Sequence, residues 1–204
     1  MITERTGENR QFYEKEFAVK KSALVPIAPG IEEIEAVTII DVLRRAGAEV
    51  VVASVSDLQI VASRGVKLTA DKRIADCAGQ TFDLIALPGG MPGAEHLRDS
   101  AELATLLKAQ HKAGRLYAAI CASPAVVLLP HGLLEGRQAT CYPAFAEQLT
   151  GSTKASIESR VVVDKNCITS RGPGTAMEFA LKLVELLYSP AKAKEVAAPM
   201  LVKE

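Results

Sequence analysis

Leu116-Tyr117-Ala118-Ala119-Ile120-Cys121-Ala122-Ser123-Pro124 decides how the rest of the chain is read. An apolar, strand-like run from Leu116 to Ile120 stops at a cysteine, and a Ser-Pro pair of the kind that opens helices follows at once. A thiol at a sharp strand-to-helix turn sits where nucleophilic enzymes hold their attacking atom. Such a turn aims backbone N–H groups and the positive end of a helix at the sulfur, which favours thiolate. The competing reading is packing, since cysteine is among the most buried residue types. The turn tips the choice toward chemistry, and the Ala122 N–H then lies where the first donor of an oxyanion hole belongs.

Outward from this turn, strands and helices alternate. Ser22 to Ala28 reads as a first buried strand ended by Pro29-Gly30, and Ile31 to Ala46 as a helix stopped at Gly47. Val50 to Val55 is the second strand, and Val61 to Ile74 a small hairpin-like excursion around Arg64-Gly65. Phe82 to Leu87 is a strand closed by Pro88-Gly89-Gly90, followed by a helix from an N-cap at Ser100 to Ala113. Pro124 to Leu129 continues from Cys121 as a helix. Arg160 to Val163 and Cys167 to Ser170 form two more strands around Asp164-Lys165-Asn166, and helices cover Gly174 to Leu187 and Ala191 to Ala198. Strands apolar on both faces and alternating with helices predict an α/β fold with a doubly wound, mostly parallel sheet. Ligands of such sheets bind at the carboxyl ends of the strands. Four loops share that end: Pro29-Gly30, Pro88-Gly89-Gly90, Cys121-Ala122-Ser123 and Arg171-Gly172-Pro173-Gly174.

Bulk composition narrows the classes. The 204 residues suit one domain, and a hydrophobic share of 49% can fill its core. Lys+Arg and Asp+Glu both number 24, a balance that argues against nucleic acid or an anionic membrane as partner. Cys77, Cys121, Cys141 and Cys167 are far apart, with no CxxC pair. In a chain of this length that fits a reducing compartment, cytoplasmic or, if a transit peptide has been removed, plastid. No apolar run approaches the ~20 residues that span a bilayer. Met1 to Lys21 is too acidic for a signal or transit peptide and reads as a polar arm, a linker piece or an appended segment. Residues 22–204 are then one domain.

Glu35 is the second candidate for chemistry. On a helical wheel it falls in line with Ile39, Val42 and Ala46, on the apolar stripe. A buried carboxyl group is held toward its neutral form, which raises its pKa. The alternative is a late helix start, with Glu35 a first-turn acid like Glu32 and Glu33. Gly89 and Gly90 allow close backbone approach to a ligand, with the Gly90 N–H a candidate second oxyanion donor. Arg171 beside a helix start can hold a carboxylate or carbonyl oxygen, or can be a structural salt bridge. Cys141 and Cys167 read as packing and Cys77 as a surface or half-buried thiol. No grouping of His, Cys and carboxylates suggests a metal, and the phosphate fingerprints GxGxxG and GxxxxGK[ST] are missing at strand–helix junctions.

Taken together, Glu32-Glu33-Ile34-Glu35, Leu87-Pro88-Gly89-Gly90, Ala118 to Ala122 and Thr169-Ser170-Arg171-Gly172-Pro173-Gly174-Thr175 resemble the ThiJ/PfpI superfamily. Within it the chain looks most like the Parkinsonism-associated deglycase and glyoxalase III branch, particularly its plant members. The resemblance spans Ser22 to about Val202. It implies a flavodoxin-like fold, a homodimer and no cofactor. It makes Cys121 the nucleophile, Glu35 its partner carboxylate, Gly90 and Ala122 the oxyanion donors, and Arg171 a residue near the mouth of the site. Where animal members carry a histidine beside the cysteine, this chain has Tyr142.

The expected function is therefore a cofactor-free, glutathione-independent glyoxalase acting on small dicarbonyls through Cys121 and Glu35. A second expectation, of another class, is an oxidative-stress sensor or holdase acting through oxidation of Cys121. Protein deglycation is a third. An amidotransferase or peptidase would need a histidine base near the thiol, and none of His96, His111 and His131 lies in the last strands or loops of the chain.

Overall fold

β1 (Ser22–Ile27) is flanked on both sides, which explains why Ala23, Leu24, Val25 and Ile27 are all fully buried. It pairs in parallel with β2 (Glu49–Ser54) and with β6 (Leu84–Leu87). The computed structural model describes residues 20–202, apart from the side chain of Ala155; expectations for residues 1–19 fall outside the described residues. Lys21 is already tied to the sheet, its carbonyl accepting from the Glu49 N–H at 2.8 Å and its ammonium pairing with Asp83 at 3.3 Å.

The remaining strands are β3 (Gln59–Val61), β4 (Lys67–Thr69), β5 (Lys72–Arg73), β7 (Leu116–Ile120), β8 (Val161–Asp164) and β9 (Cys167–Ser170). Of the nine strands among the described residues, seven form one sheet in the order β5-β2-β1-β6-β7-β9-β8, parallel except for β8, which runs antiparallel to β9. The fold is the flavodoxin-like α/β arrangement expected. Its main strands leave β1 in opposite directions, to β2 on one side and to β6 on the other. The crevice between β1 and β6 is therefore the topological switch point.

The helices follow from that winding. α1 (Glu33–Arg45) connects β1 to β2, and α2 (Gly93–Asp99) with α3 (Ala101–Lys112) connects β6 to β7. Right-handed crossovers travelling in opposite directions place α1 on one face and α2 and α3 on the other. α5 (Ala176–Leu187) packs along α1, and α6 (Pro190–Ala197) packs on α5. The N-cap of α3 is Ser100 as predicted, its hydroxyl accepting from the Leu103 N–H. Gly47, at φ +89°, follows the last turn of α1 as the glycine stop requires.

Three parts differ from the sequence expectation. The hairpin-like excursion expected over Val61 to Ile74 starts earlier, at Gln59, and divides into a β3–β4 hairpin outside the main sheet and the short β5 that extends the sheet edge. α2 and the short α4 (Lys154–Glu158) were not anticipated, because neither is long enough to show a helical period. The predicted helix after Cys121 is a single π-type turn at Pro124–Leu128, closed by Leu129 N–H on Pro124 O at 3.0 Å. A proline at its first position and two β-branched valines within it disfavour a regular α-helix.

Candidate active site

β1, β6 and β7 lie side by side, so the segments leaving their carboxyl ends meet over the switch point. β7 ends at Ile120, and Cys121 then takes φ +64°, a left-handed conformation that is uncommon for residues bearing a Cβ. Such a conformation costs of order 1–3 kcal/mol and persists only where the surroundings fix it. Here both neighbours of the residue do so: its N–H donates to Ser170 O at 3.0 Å, and its carbonyl accepts from the Tyr142 N–H at 2.7 Å. Cys121 is 8% exposed.

Glu35 comes from the first turn of α1. Glu32 caps that helix, its Oε2 accepting from the Glu35 N–H at 2.8 Å. Glu33 is drawn to the β3–β4 hairpin, where it accepts from Ser63 Oγ and the Arg64 N–H, both at 2.9 Å. Neither is an ordinary solvated first-turn acid, as the sequence suggested; each has a fixed partner. Glu35 is fully buried. Its Oε2 accepts from the Gly89 N–H at 2.8 Å, while Oε1 is buried without a hydrogen-bond partner.

Gly89 and Gly90 are required by close approach. A Cβ on Gly89 would lie 2.6 Å from Cys121 Cβ and 2.9 Å from Ala122 N. Gly90 has φ +88°, and a Cβ there would strike the backbone N of Glu32. Side chains at either position would push the β6 loop off the elbow or off α1. With glycines in place, the N–H groups of Gly90 and Ala122 both act on the Cys121 thiol in the direction that favours thiolate.

The electrostatics correct one expectation. Burial raises the Cys121 thiol to about 12, helped by the neighbouring charge of Glu35 and opposed by the Gly90 and Ala122 N–H groups. The turn does not leave a standing thiolate. The π-type turn supplies less aligned dipole than a full α-helix, and the sulfur shares its pocket with an acid. Burial raises Glu35 to about 7, with the charge of Glu32 adding to the effect and the Gly89 N–H and Cys121 opposing it. Near neutrality Glu35 therefore gains and loses its proton while the thiol stays protonated, and the two titrations are coupled.

The other predicted residues lie around this centre. Tyr142 is 44% exposed, and its ring lies against Gly172, where an added Cβ would sit 3.4 Å from it. Arg171 donates from Nη1 to Glu158 O at 3.4 Å and from its backbone N–H to Thr175 Oγ1 at 3.3 Å. Its charge acts on Cys141, whose thiol burial pushes up to about 11. Cys141 is fully buried and donates to Tyr142 O at 3.4 Å. Cys167 is buried beside Tyr117. Cys77, expected at or near the surface, is fully buried, because the 3₁₀ turn Ile74–Cys77 tucks it under the sheet edge.

Each histidine is engaged elsewhere: His96 with Pro29 O, His111 with Tyr117 Oη, and His131 with Arg98 O. Among the described residues no group of three or more His, Cys, Asp and Glu forms a metal cluster. Sequence reasoning missed Ser123, which is buried and donates to Pro88 O at 2.5 Å instead of capping a helix. It also missed Thr175, which gathers Ser170, Arg171 and Gly172 into the turn after β9. Both act through contacts between segments distant in sequence or set by turn geometry, and neither leaves a periodic signal.

Comparison with known proteins agrees with this geometry. Residues 21–186 match the model of the DJ-1/PfpI family. Over 180 residues the chain is 52% identical to protein DJ-1 homolog B of Arabidopsis thaliana, covering 88% of this chain and 41% of that protein. The chain thus spans less than half the length of that relative. It is 40% identical over 184 residues to the glutathione-independent glyoxalase DJR-1.2 of Caenorhabditis elegans, covering 90% of this chain and 97% of the relative. The solved structure of oxidized Toxoplasma gondii DJ-1 superposes with a TM-score of 0.86 at 53% identity, covering 90% of this chain and 100% of that one.

Proposed function

The chain belongs to the DJ-1/PfpI family, and from that membership we propose that it is a cofactor-free, glutathione-independent glyoxalase acting on methylglyoxal and glyoxal. One observation carries the reading: the buried Glu35 carboxyl, with Oε1 unpartnered, beside a thiol whose ionised form two backbone N–H groups favour. A relative named as a glutathione-independent glyoxalase, at 40% identity, supports it.

In this reading Glu35, near 7, takes the thiol proton as the sulfur bonds to the aldehyde carbon of methylglyoxal. The Gly90 and Ala122 N–H groups hold the oxyanion of the resulting hemithioacetal, which is then protonated. Glu35 next removes the hydrogen from the former aldehyde carbon to give an enediol and returns a proton to the neighbouring carbon. That carbon is reduced as the first is oxidised, so the product is a lactoyl thioester and no external electron acceptor is consumed. Water cleaves the thioester to lactate and restores the thiol. Tyr142 and Arg171 frame the mouth, and residues 22–204 carry the whole site as one domain.

The test is lactate formation from methylglyoxal in the absence of glutathione. Wild-type protein forms lactate, and Cys121→Ser and Glu35→Gln each lose it by roughly 10²-fold or more. Full activity in Cys121→Ser would assign the nucleophile elsewhere.

A second reading has its own support in the oxidized state of the Toxoplasma relative. Peroxide converts Cys121 thiolate to sulfenate and then to sulfinate, each step transferring one oxygen and releasing one water. The raised thiol makes this slower than at a thiolate site. Intact mass after mild peroxide is expected to show two oxygens added at Cys121, and oxidation at another cysteine first would exclude a sensing role. We further propose that two copies associate through the exposed Ile34 and Val37 of α1 with Val61 and Val66 of the hairpin. The four free cysteines support a reducing compartment such as the cytoplasm.

A further inference from the structure

Two consecutive peptide planes separate β6 from the rest of its loop, and both are clamped on one edge and used on the other. In a trans peptide the C=O and N–H point to opposite sides of a rigid plane. In the Gly89–Gly90 plane, Gly89 O accepts from the Glu32 N–H at 2.9 Å, and the Gly90 N–H on the opposite edge acts on the Cys121 thiol to favour its ionised form. In the Pro88–Gly89 plane, Pro88 O accepts from Ser123 Oγ at 2.5 Å, and the Gly89 N–H opposite donates to Glu35 Oε2 at 2.8 Å. The clamp on the second plane is a side chain from the nucleophile elbow itself.

We propose that Ser123 is a positioning residue for Glu35, acting through the Pro88–Gly89 peptide plane. Its hydroxyl touches neither the thiol nor the carboxyl. It is fully buried, reaches across 35 residues of sequence, and makes no capping bond to the turn it opens. By holding Pro88 O it turns the Gly89 N–H onto Oε2, which fixes the carboxyl rotation and leaves Oε1 free for the sulfur and the substrate. The same bond ties the β6 loop to the elbow, so the two oxyanion donors, Gly90 on one segment and Ala122 on the other, keep a fixed separation. The titratable groups that face Glu35 are Glu32 from α1 and Cys121 from the elbow.

The inference rests on the glyoxalase reading for its catalytic consequence but not for its geometric one, and two measurements separate them. The first is the pH dependence of lactate formation, and the second is the pH titration of the Glu35 carboxyl itself, followed by infrared difference spectroscopy of its carboxyl band. Ser123→Ala frees the Pro88–Gly89 plane and weakens the Gly89 N–H bond that opposes the rise in Glu35. Its midpoint is then expected above that of wild type in both profiles, with kcat reduced roughly 10- to 100-fold and KM little changed. Ser123→Thr keeps the hydroxyl and is expected to recover most of the loss. Ser123→Cys, similar in volume but a weaker donor, falls between and serves if the alanine variant does not fold. Wild-type midpoints in folded Ser123→Ala, or a threonine variant as impaired as the alanine one, would overturn the proposal. If wild type forms no lactate, the reaction reading falls, and the carboxyl titrations still decide whether Ser123 positions Glu35.

Discussion

Glu35 titrates near 4.5 in an unfolded chain and near 7 in the fold, because burial disfavours its charge. Between these values the folded state holds the proton more tightly. The contribution of this group to stability is therefore full below about pH 4.5 and is lost as the pH rises through 7. The loss amounts to roughly 3 kcal/mol at high pH. Glu35→Gln carries no such dependence, so it is expected to melt above wild type at pH 8 and close to it at pH 4.5. Thermal melts at the two values check this, and a gap independent of pH would mean that Glu35 is not the titrating group. The Cys121 backbone points the same way. A left-handed residue at the end of a buried strand, and a buried carboxyl with a free oxygen, are both retained against stability where chemistry needs them.

The first turn of α1 shows how one short acidic run does three jobs. Glu32 caps the helix, Glu33 anchors the hairpin and Glu35 enters the site. Burial alone would raise Glu33, but its backbone and Ser63, Arg64 and Val66 donors outweigh it and lower the group. Its stabilising contribution is present above the unfolded value near 4.5 and is lost as the pH falls through the folded one. Glu33→Ala is expected to cost about 1–3 kcal/mol through the donors left unpaired. The loss should be local, with amide exchange rising in β3 and β4 and not in β1; uniform acceleration would show that the hairpin is not held by this residue. Much of this level was legible in sequence. The apolar run before Cys121, the apolar stripe through Glu35 and the glycine pair after Leu87 are local patterns with a physical cause. What stayed hidden depends on contacts between distant segments: the Ser123 bond to Pro88, the Glu33 bond to Ser63 and the burial of Cys77. The π-type turn was missed because Ser-Pro announces a helix start and says nothing of its pitch.

At the scale of the molecule, strand order places the site. Because β1 lies between β2 and β6, and β7 beside β6, three loops that are distant in sequence converge on one crevice. The alternation of strands and helices announced the sheet and its carboxyl end; it could not announce which loops were neighbours, since strand order is not periodic information. The exposed Ile34, Val37, Val61 and Val66 give the predicted homodimer a testable face. Ile34→Glu with Val37→Asp is expected to give a monomer in sedimentation at micromolar concentration, while unchanged mass would move the interface elsewhere. Activity is the property of the whole assembly of loops, and its pH dependence reads the central claim most directly. Glutathione-free lactate formation is expected to rise with pH through a midpoint near 7 as Glu35 becomes the base, and Glu35→Gln is expected to abolish that limb with the rate. A limb that persists unchanged in Glu35→Gln would contradict the account.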